Sequence, residues 1–206
     1  MKGIIACESS GVMREAFRAL GHDVVSCDLL PADDNSANHI QDDIMNVDLS
    51  KYDFMVAHPP CTYLSNSGSR WLYDNEGNKN LKRWRELEKG VELFTFLLNA
   101  PIKHKVIENP IPHKHAIGLI GRKYNQLIQP WQFGHTTSKA TCLWLSNIPI
   151  LKPTNIIPKE LRTFDIHKAS PGPDRWKIRS KSFTGIAEAM AVQYTNYMNT
   201  VLTFNF

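Results

Sequence analysis

The sequence is poor in cysteine, with four among 206 residues. They stand at positions 7, 27, 61 and 142 without CxxC spacing, so neither a disulfide framework nor a zinc ribbon is indicated. Long apolar runs are also missing, and the first residues continue directly into a strand-like segment, so we expect neither a membrane span nor a targeting segment. Reduced thiols and the lack of an export signal favour a cytoplasmic location.

Basic residues only slightly outnumber acidic ones, and the formal net charge is +4. This value permits a polyanionic partner without requiring one. Acidic residues concentrate in the first third of the chain, whereas basic residues gather at positions 79–89 and again at 175–181. This distribution fits a cofactor-binding half and a half that faces a polyanion. The length and the 42% apolar content predict one compact domain over residues 1–206.

Short apolar segments alternate with helical patterns, which is typical of an α/β fold with a mostly parallel sheet. We predict strands at residues 2–7, 23–27, 39–41, 54–57 and 105–107, and helices at 12–20, 80–99 and 183–201. Residues 127–133 and 141–145 are predicted to form a hairpin that closes one edge of the sheet. Residues 146–182 contain no predicted element. Acidic and reactive residues follow several strands, where open α/β sheets bind their ligands.

Two short runs carry the chemistry. His58-Pro59-Pro60-Cys61 places a thiol on a rigid turn after the fourth predicted strand, and Glu108-Asn109-Pro110 places a carboxyl group at the end of the fifth. Attack on an unactivated pyrimidine carbon requires a soft nucleophile and an acid that neutralises the ring nitrogen. Cys61 and Glu108 supply these two groups. The alternative for Cys61 is a buried cysteine that acts as a small hydrophobic residue.

In this order, the Pro-Cys and Glu-Asn-Pro runs resemble the cytosine C5-specific DNA methyltransferases, and the resemblance spans most of the chain. It implies a single Rossmann-like S-adenosylmethionine-dependent methyltransferase domain with a mixed, mostly parallel sheet. It also implies that a cytosine is extruded, that Cys61 adds to C6 and that Glu108 protonates or hydrogen-bonds N3. The chain looks like the compact phage-borne members of the family, which implies DNA as the partner and the host cytoplasm as the location.

The resemblance also implies a cofactor site. Residues 6–11 stand where the family has a glycine-rich motif, although Gly11 is the only glycine here. Asp28 matches the acidic residue that holds the ribose hydroxyls, and Asp43-Ile44 resembles a pair near the adenine ring. The full set of predicted cofactor contacts is Cys7, Glu8, Ser10, Gly11, Asp28, Asp43, Ile44, Pro60 and Ser180.

Substrate contacts are predicted on three segments. Residues 65–70 take the place of the family's catalytic loop, and residues 133–141 resemble its Gln-x-Arg-x-Arg motif with other residues in place of the arginines. Basic residues alternate over residues 175–181, so in an extended segment they would follow a phosphate backbone; a solvated edge strand is the alternative. The predicted contacts are Ser65, Arg70, Lys139, Thr141, Arg175, Lys177 and Arg179. For Lys139, a solvated hairpin lysine remains the alternative.

A folded sequence reader is absent from the pattern, because only residues 146–182 separate the substrate motif from the final helix. We therefore expect little sequence specificity, or a substrate other than duplex DNA. C5 modification of cytosine in RNA or in a free nucleotide, with another one-carbon donor, is one alternative. An amino-group methyltransferase and an inactive module that binds nucleic acid or cofactor are two others. The histidines lack metal-ligand spacing, so no metal is expected, and the basic residues at 79–89 are expected to form a solvated helix face.

Overall fold

The computed structural model describes residues 1–164 and 182–203, except for the side chain of residue 202. Within these ranges the strands are β1 (Lys2–Ala6), β2 (Asp23–Asp28), β3 (His39–Gln41), β4 (Phe54–Ala57), β5 (His104–Pro110), β6 (Gln126–Ile128) and β7 (Thr141–Ser146). The α-helices are α1 (Val12–Arg18), α2 (Leu81–Asn99), α3 (Lys114–Ile120) and α4 (Thr184–Thr203).

The strands form one sheet in the order β3-β2-β1-β4-β5-β7-β6. Strands β1 to β5 are parallel to their neighbours within that group, whereas β7 runs antiparallel to both β5 and β6. The chain first moves outward from β1 to β3 and then returns to place β4 on the other side of β1. This reversal creates a crevice at the carboxyl ends of β1 and β4, where such sheets bind ligands. The predicted Rossmann-like fold class, with a mixed and mostly parallel sheet, is confirmed.

The central strands are apolar on both faces, because helices cover the sheet on either side. Successive residues point to opposite faces. Thus Ile4 packs with α2 and the neighbouring segments, whereas Ile5 packs with α1 and α4. The same alternation continues past the ends of the strands, and it decides which side chains beyond β4 and β5 meet in the site.

Two details differ from the sequence prediction. Helix α3 is missing from it, because the helix is short and its N-cap residue is His113, whose Nδ1 atom accepts a hydrogen bond from the Ala116 N–H at 3.0 Å. Histidine is not among the usual N-cap residues. The predicted strand over residues 127–133 is wrong beyond Ile128, because Pro130 lacks a ladder donor and begins a 3₁₀ turn instead. Strand β6 nevertheless pairs with β7 and closes the sheet edge as expected.

We predict that Gly3→Ala destabilises the pairing of β1 with β4. A Cβ atom at Gly3 would lie 2.2 Å from Cζ of the buried Phe54 ring, so the ring must move. The expected loss in the free energy of unfolding, measured in urea, is about 1–3 kcal/mol. Gly118→Ala in α3 is the control, because its Cβ would meet nothing within 4 Å and should be neutral or stabilising. Equal effects of the two substitutions would contradict this packing.

Candidate active site

The two runs singled out in the sequence lie side by side at the carboxyl edge of the sheet. The parallel register pairs Ala57 with Ile107, so the next residues, His58 and Glu108, extend from adjacent strands. His58 Nδ1 and Glu108 Oε2 are 2.9 Å apart, and the side chains are 13% and 20% exposed. Sequence spacing does not reveal this contact, because it depends on the register between two strands that are distant in the chain.

Asn109 fixes the turn that carries Cys61. Its side chain is buried, and Nδ2 donates a hydrogen bond to the carbonyl oxygen of Pro59 at 2.9 Å. The carbonyl oxygen of Cys61 accepts from the backbone N–H groups of Leu64 and Ser65 at 3.1 and 3.0 Å. The half-buried Cys61 thiol therefore stands at a turn that is held from both sides.

The segment after Cys61 is held by α2 and α3. Arg83 donates from Nη2 to the carbonyl oxygen of Thr62 at 3.1 Å, and its guanidinium lies 4.1 Å from the centroid of the Tyr63 ring. His113 Nε2 bonds the carbonyl oxygen of Tyr63 at 2.9 Å. The prediction of a solvated basic face is therefore wrong for Arg83, which supports the loop. Ser65 is buried and hydrogen-bonds Ser67, whereas Arg70 is exposed.

The buried pair favours a proton on His58 and a negative charge on Glu108. Burial acts to lower the pKa of His58, but the hydrogen bond and the charge of Glu108 outweigh it and raise that pKa above 6.5. Burial acts to raise the pKa of Glu108, but His58, Lys139 and the Thr141 hydroxyl outweigh it and lower that pKa below 4.5. Nε2 of His58 is buried and has no hydrogen-bond partner among the described residues.

Lys139 and Thr141 join the pair around a small cavity. The cavity has a volume of about 20 Å³, enough for one water molecule, and Met13 and Phe183 are among its apolar lining residues. Lys139 is half-buried, and its Nζ lies 5.7 Å from the centroid of the Phe183 ring. The structure therefore places these two predicted substrate residues beside Glu108, and the alternative of a solvated hairpin lysine does not describe Lys139.

The first turn, after β1, is built around Glu8. Its Oε1 accepts from the Met13 N–H at 2.8 Å and from the Ser10 hydroxyl at 3.1 Å, while Oε2 accepts from the Arg14 N–H at 3.2 Å. Glu8 thus caps α1 with an internal carboxylate where a glycine-rich turn would leave space for a ligand. Gly11 begins the helix with a φ of 73°, and a Cβ there would lie 2.4 Å from Nη2 of Arg14.

Three of the predicted cofactor residues lie at the carboxyl ends of neighbouring strands: Cys7 follows β1, Asp28 ends β2 and Asp43 follows β3. Burial raises the pKa of the Cys7 thiol, and the nearby charges of Asp28 and Asp43 raise it further. One oxygen of Asp28 accepts from the Leu30 N–H at 2.9 Å, and one oxygen of Asp43 caps the following 3₁₀ turn. Among the described residues, the second oxygen of each carboxylate is left for a ligand. Ile44 is buried beneath them, and Pro60 is exposed.

A buried arginine, which sequence analysis missed, holds the loop after β2. Arg14 is fully buried; it donates to the Ser26 hydroxyl at 2.7 Å and forms an ion pair with Asp34. Ser26 in turn lies 2.8 Å from Nδ1 of His39 on β3. The network joins α1, β2 and β3 to the loop that follows Asp28. In the sequence, an arginine at position 14 of the chain is expected on the solvent-exposed face of the amphipathic helix α1. The sequence pattern therefore does not predict that Arg14 is buried and holds this loop.

Several predicted residues lie outside the described ranges, namely Ser180, Arg175, Lys177 and Arg179. In the part of the chain that the structure describes, no group of three or more His, Cys, Asp or Glu side chains could hold a metal ion. No described helix has the length and apolar character to cross a bilayer.

No family model matches the chain, and no curated protein matches it either. Among solved structures it resembles a prophage-encoded Escherichia coli protein assigned as a DNA modification methyltransferase, with 14% identity, a TM-score of 0.48 and coverage of 77% of this chain and 52% of that one. It also resembles the Entamoeba histolytica methyltransferase EhMeth, with 15% identity, a TM-score of 0.49 and coverage of 76% and 57%. It also resembles a mutant of Spodoptera frugiperda DNMT2, with 15% identity, a TM-score of 0.40 and coverage of 79% of this chain and 57% of that one. The chain thus spans little more than half the length of these proteins, and its fold class rests on its own strand order.

We predict that Glu108→Gln reverses the pH dependence that His58 gives to stability. In the wild type the pKa of His58 is raised, so the stabilisation is complete below pH 6.5 and is lost as the pH rises through the folded-state pKa. Without the carboxylate, burial and the charge of Lys139 lower that pKa against the smaller opposing effect of Glu8, so the unfolding free energy should rise with pH instead. The contribution of Glu108 itself is present above pH 4.5 and is lost on acidification through its lowered folded-state pKa.

The measurement is urea unfolding of the wild type and the variant between about pH 5.5 and about pH 8.5. Glu92→Gln, which changes an exposed carboxyl group on α2, is the control and should keep the wild-type profile. Parallel profiles for Glu108→Gln and the wild type would rule out a charged pair.

Proposed function

We propose that this chain transfers a methyl group to C5 of cytosine in a nucleic acid through a covalent Cys61 adduct. The observation that carries the proposal is the double connection between the two runs. His58 bonds Glu108, and Asn109 bonds the carbonyl oxygen of Pro59, so the segment that bears the thiol is anchored to the segment that bears the carboxylate. A nucleophile and an acid that act on one ring must be held in a fixed relation.

Cys61 is the proposed nucleophile because its turn is fixed and its side chain is only half-buried. Its thiolate forms an S–C6 bond, and the electrons of the C5=C6 double bond move into the ring towards N3. C5 thereby becomes nucleophilic and takes the methyl group. A water molecule from solvent takes the C5 proton, which restores the C5=C6 double bond and expels the Cys61 thiolate, so the thiol is free for another cycle. The other thiols suit this role less well, since burial raises the pKa of Cys142 to about 12.

The His58–Glu108 pair is proposed to donate a proton to N3 and to accept it again. The raised pKa of His58 and the lowered pKa of Glu108 favour a proton on the imidazole and an ionised carboxylate in the protein alone. When thiolate addition places negative charge on N3, the pair transfers one proton to that atom and is left with the single negative charge of Glu108. The proton returns when the thiolate leaves. This assigns to Glu108 the contact with cytosine expected from the sequence, and it adds His58 as the group that keeps the proton available.

S-adenosylmethionine is the proposed methyl donor, and it supplies an electrophilic methyl group beside C5. The residues at the carboxyl ends of β1 and β2 fit such a group. Asp28 ends β2 with one carboxylate oxygen available, as a ribose hydroxyl requires. The carboxylate of Glu8 already occupies the N-terminus of α1, which suits a donor that brings no phosphate to that position.

DNA with little sequence preference is the proposed substrate. Among described residues 147–164, the only helical element is the 3₁₀ turn Lys159–Leu161, which is too small to read a sequence. The same feature favours a second candidate, modification of cytosine in RNA or in a free nucleotide. Incubation with labelled donor and, separately, DNA, RNA and cytidine nucleotides distinguishes these substrates.

We predict that DNA containing 5-fluorocytosine forms a stable adduct with the wild-type protein when S-adenosylmethionine is present. After methyl transfer, C5 carries fluorine in place of the proton that must be removed, so the thiolate is not expelled. The thioether therefore accumulates and is detected by denaturing electrophoresis and mass spectrometry. Cys61→Ser should abolish the adduct. Cys142→Ala, which changes a buried core thiol, is the control and should retain it. Methyl transfer to an exocyclic amine without any adduct would establish the amino-group alternative, and donor or DNA binding without transfer would indicate an inactive module.

We predict that Glu108→Gln lowers kcat about 100-fold or more, because the ring charge is then not neutralised at N3. His58→Gln should lower kcat by a smaller factor and shift the pH optimum, since Glu108 must then take its proton from solvent. Methyl incorporation from labelled donor measures both. Glu92→Gln again serves as the control. If the activity of Glu108→Gln equals that of the wild type, the proposed role of the pair is wrong.

A further inference from the structure

An exposed aromatic and basic surface lies beside the Cys61 loop. We call it the Trp71 surface, and it consists of Arg70, Trp71, Tyr73, Lys79 and Leu81 at the approach to α2. Trp71 is 55% exposed, Tyr73 is 36% exposed and Leu81 is 66% exposed. Large apolar side chains grouped in solvent usually mark a binding site.

The ring of Trp71 is prepared for stacking. The guanidinium carbon of Arg70 lies 4.5 Å from the ring centroid, so one cation accompanies an aromatic face that remains accessible. Aromatic rings paired with arginine or lysine are the elements with which proteins hold bases and phosphates of single strands.

Trp84 of α2 packs against residues of the Trp71 surface and helps to hold them in place. Trp84 donates from Nε1 to the carbonyl oxygen of Leu72 at 3.0 Å, and its ring centroid lies 6.0 Å from that of Tyr73 and 5.2 Å from that of His115. Lys79 places Nζ 4.6 Å from the centroid of the Trp84 ring. The segment that follows Trp71 is therefore held by Trp84, and Lys79 is exposed, as the sequence predicted, with its ammonium group over the Trp84 ring.

The charge of this region suits a polyanion. Residues 70–85 contain five basic and two acidic side chains. Of the acidic ones, Asp74 is occupied in its own turn, where it accepts from the backbone N–H groups of Glu76 and Asn78 at 3.0 and 2.8 Å. The basic side chains thus outnumber the acidic ones, and cations lie directly on the aromatic rings.

The position of the surface connects it to the candidate active site. The segment that begins at Cys61 returns to the carboxyl edge of the sheet, where Ser65 pairs with Pro112 and the Asn66 N–H donates to the Ile111 carbonyl. Gly68, in the 3₁₀ turn that ends at Trp71, lies against the backbone of Thr62, since a Cβ there would be 2.6 Å from the Thr62 carbonyl oxygen, so the surface adjoins the segment that carries Cys61.

We infer that the Trp71 surface binds single-stranded nucleic acid, with one base stacked on Trp71 and phosphates near Arg70 and Lys79. The inference deepens the proposed function by naming its substrate class, and it rests on that function only for the chemistry at Cys61. A single strand is favoured because its bases are available for stacking, whereas the bases of a duplex are already stacked on one another.

The test is fluorescence anisotropy with a labelled oligothymidine, which contains no cytosine and therefore reports binding apart from the reaction. Trp71→Ala should weaken binding roughly 5- to 100-fold, and Trp71→Phe should restore most of the affinity. Arg70→Ala and Lys79→Ala should each reduce the slope of log K against log salt by about 0.7. The matching duplex should bind more weakly than the single strand and should respond little to Trp71→Ala.

Control variants lie away from the surface. Ile150→Ala removes a side chain that is 61% exposed beyond β7, and Lys103→Ala removes an exposed cation before β5. Both should bind like the wild type, and urea unfolding should show that all variants are folded. Unchanged affinity of folded Trp71→Ala would overturn the inference, as would tighter binding of the duplex through the same residues.

The proposed function can fail separately. Cys61→Ser should keep the affinity for oligothymidine while it loses the 5-fluorocytosine adduct. If the wild type forms no adduct but Trp71→Ala still weakens binding, the surface is established and the C5 chemistry is wrong. If the adduct forms and Trp71→Ala binds normally, the chemistry stands and this surface does not hold the strand.

Discussion

The parallel pairing of β4 with β5 is the constraint on which the candidate site depends. It brings together two segments that lie fifty residues apart, and the hydrogen bonds beyond the last paired residues continue the alignment. His58 and Glu108 extend towards the face covered by α1 and α4, whereas Tyr63 and Leu64 pack on the face covered by α2 and α3. The Cys61 turn lies between these two segments in the chain. It therefore connects residues that pack on one face of the sheet with residues that pack on the other.

The buried carboxylate of Glu8 occupies the start of α1, where a glycine-rich turn would leave space for a ligand. Glu8 satisfies backbone donors of the first helical turn, and its charge also contributes to the raised pKa of His58. A single internal anion thus stabilises a helix terminus and influences the neighbouring site. The turn after β1 therefore keeps just one glycine. The Glu8 side chain fills the space at the start of α1 and supplies the acceptors for its first N–H groups.

Sequence periodicity was sufficient for the succession of the strands along the chain and for the residues near their ends, but not for the order of the strands in the sheet. Asp28 and Glu108 could be placed because a strand of apolar residues stops near them. The contacts that define the site could not be predicted in this way. The bond between His58 and Glu108 requires the strand register, the cap by Glu8 requires the geometry of a turn, and the burial of Arg14 requires knowledge of the loop that covers it. Each is a long-range or three-dimensional fact that local patterns do not contain.

The packing of α4 has a consequence for how the molecule is assembled. Met190 and Tyr194 of this helix complete the core against Ile5, Val56 and Phe17, which come much earlier in the chain. Until α4 has been synthesised, the face of the sheet that it shares with α1 is only partly covered. We expect the nascent chain to expose apolar surface there during this period, which favours aggregation.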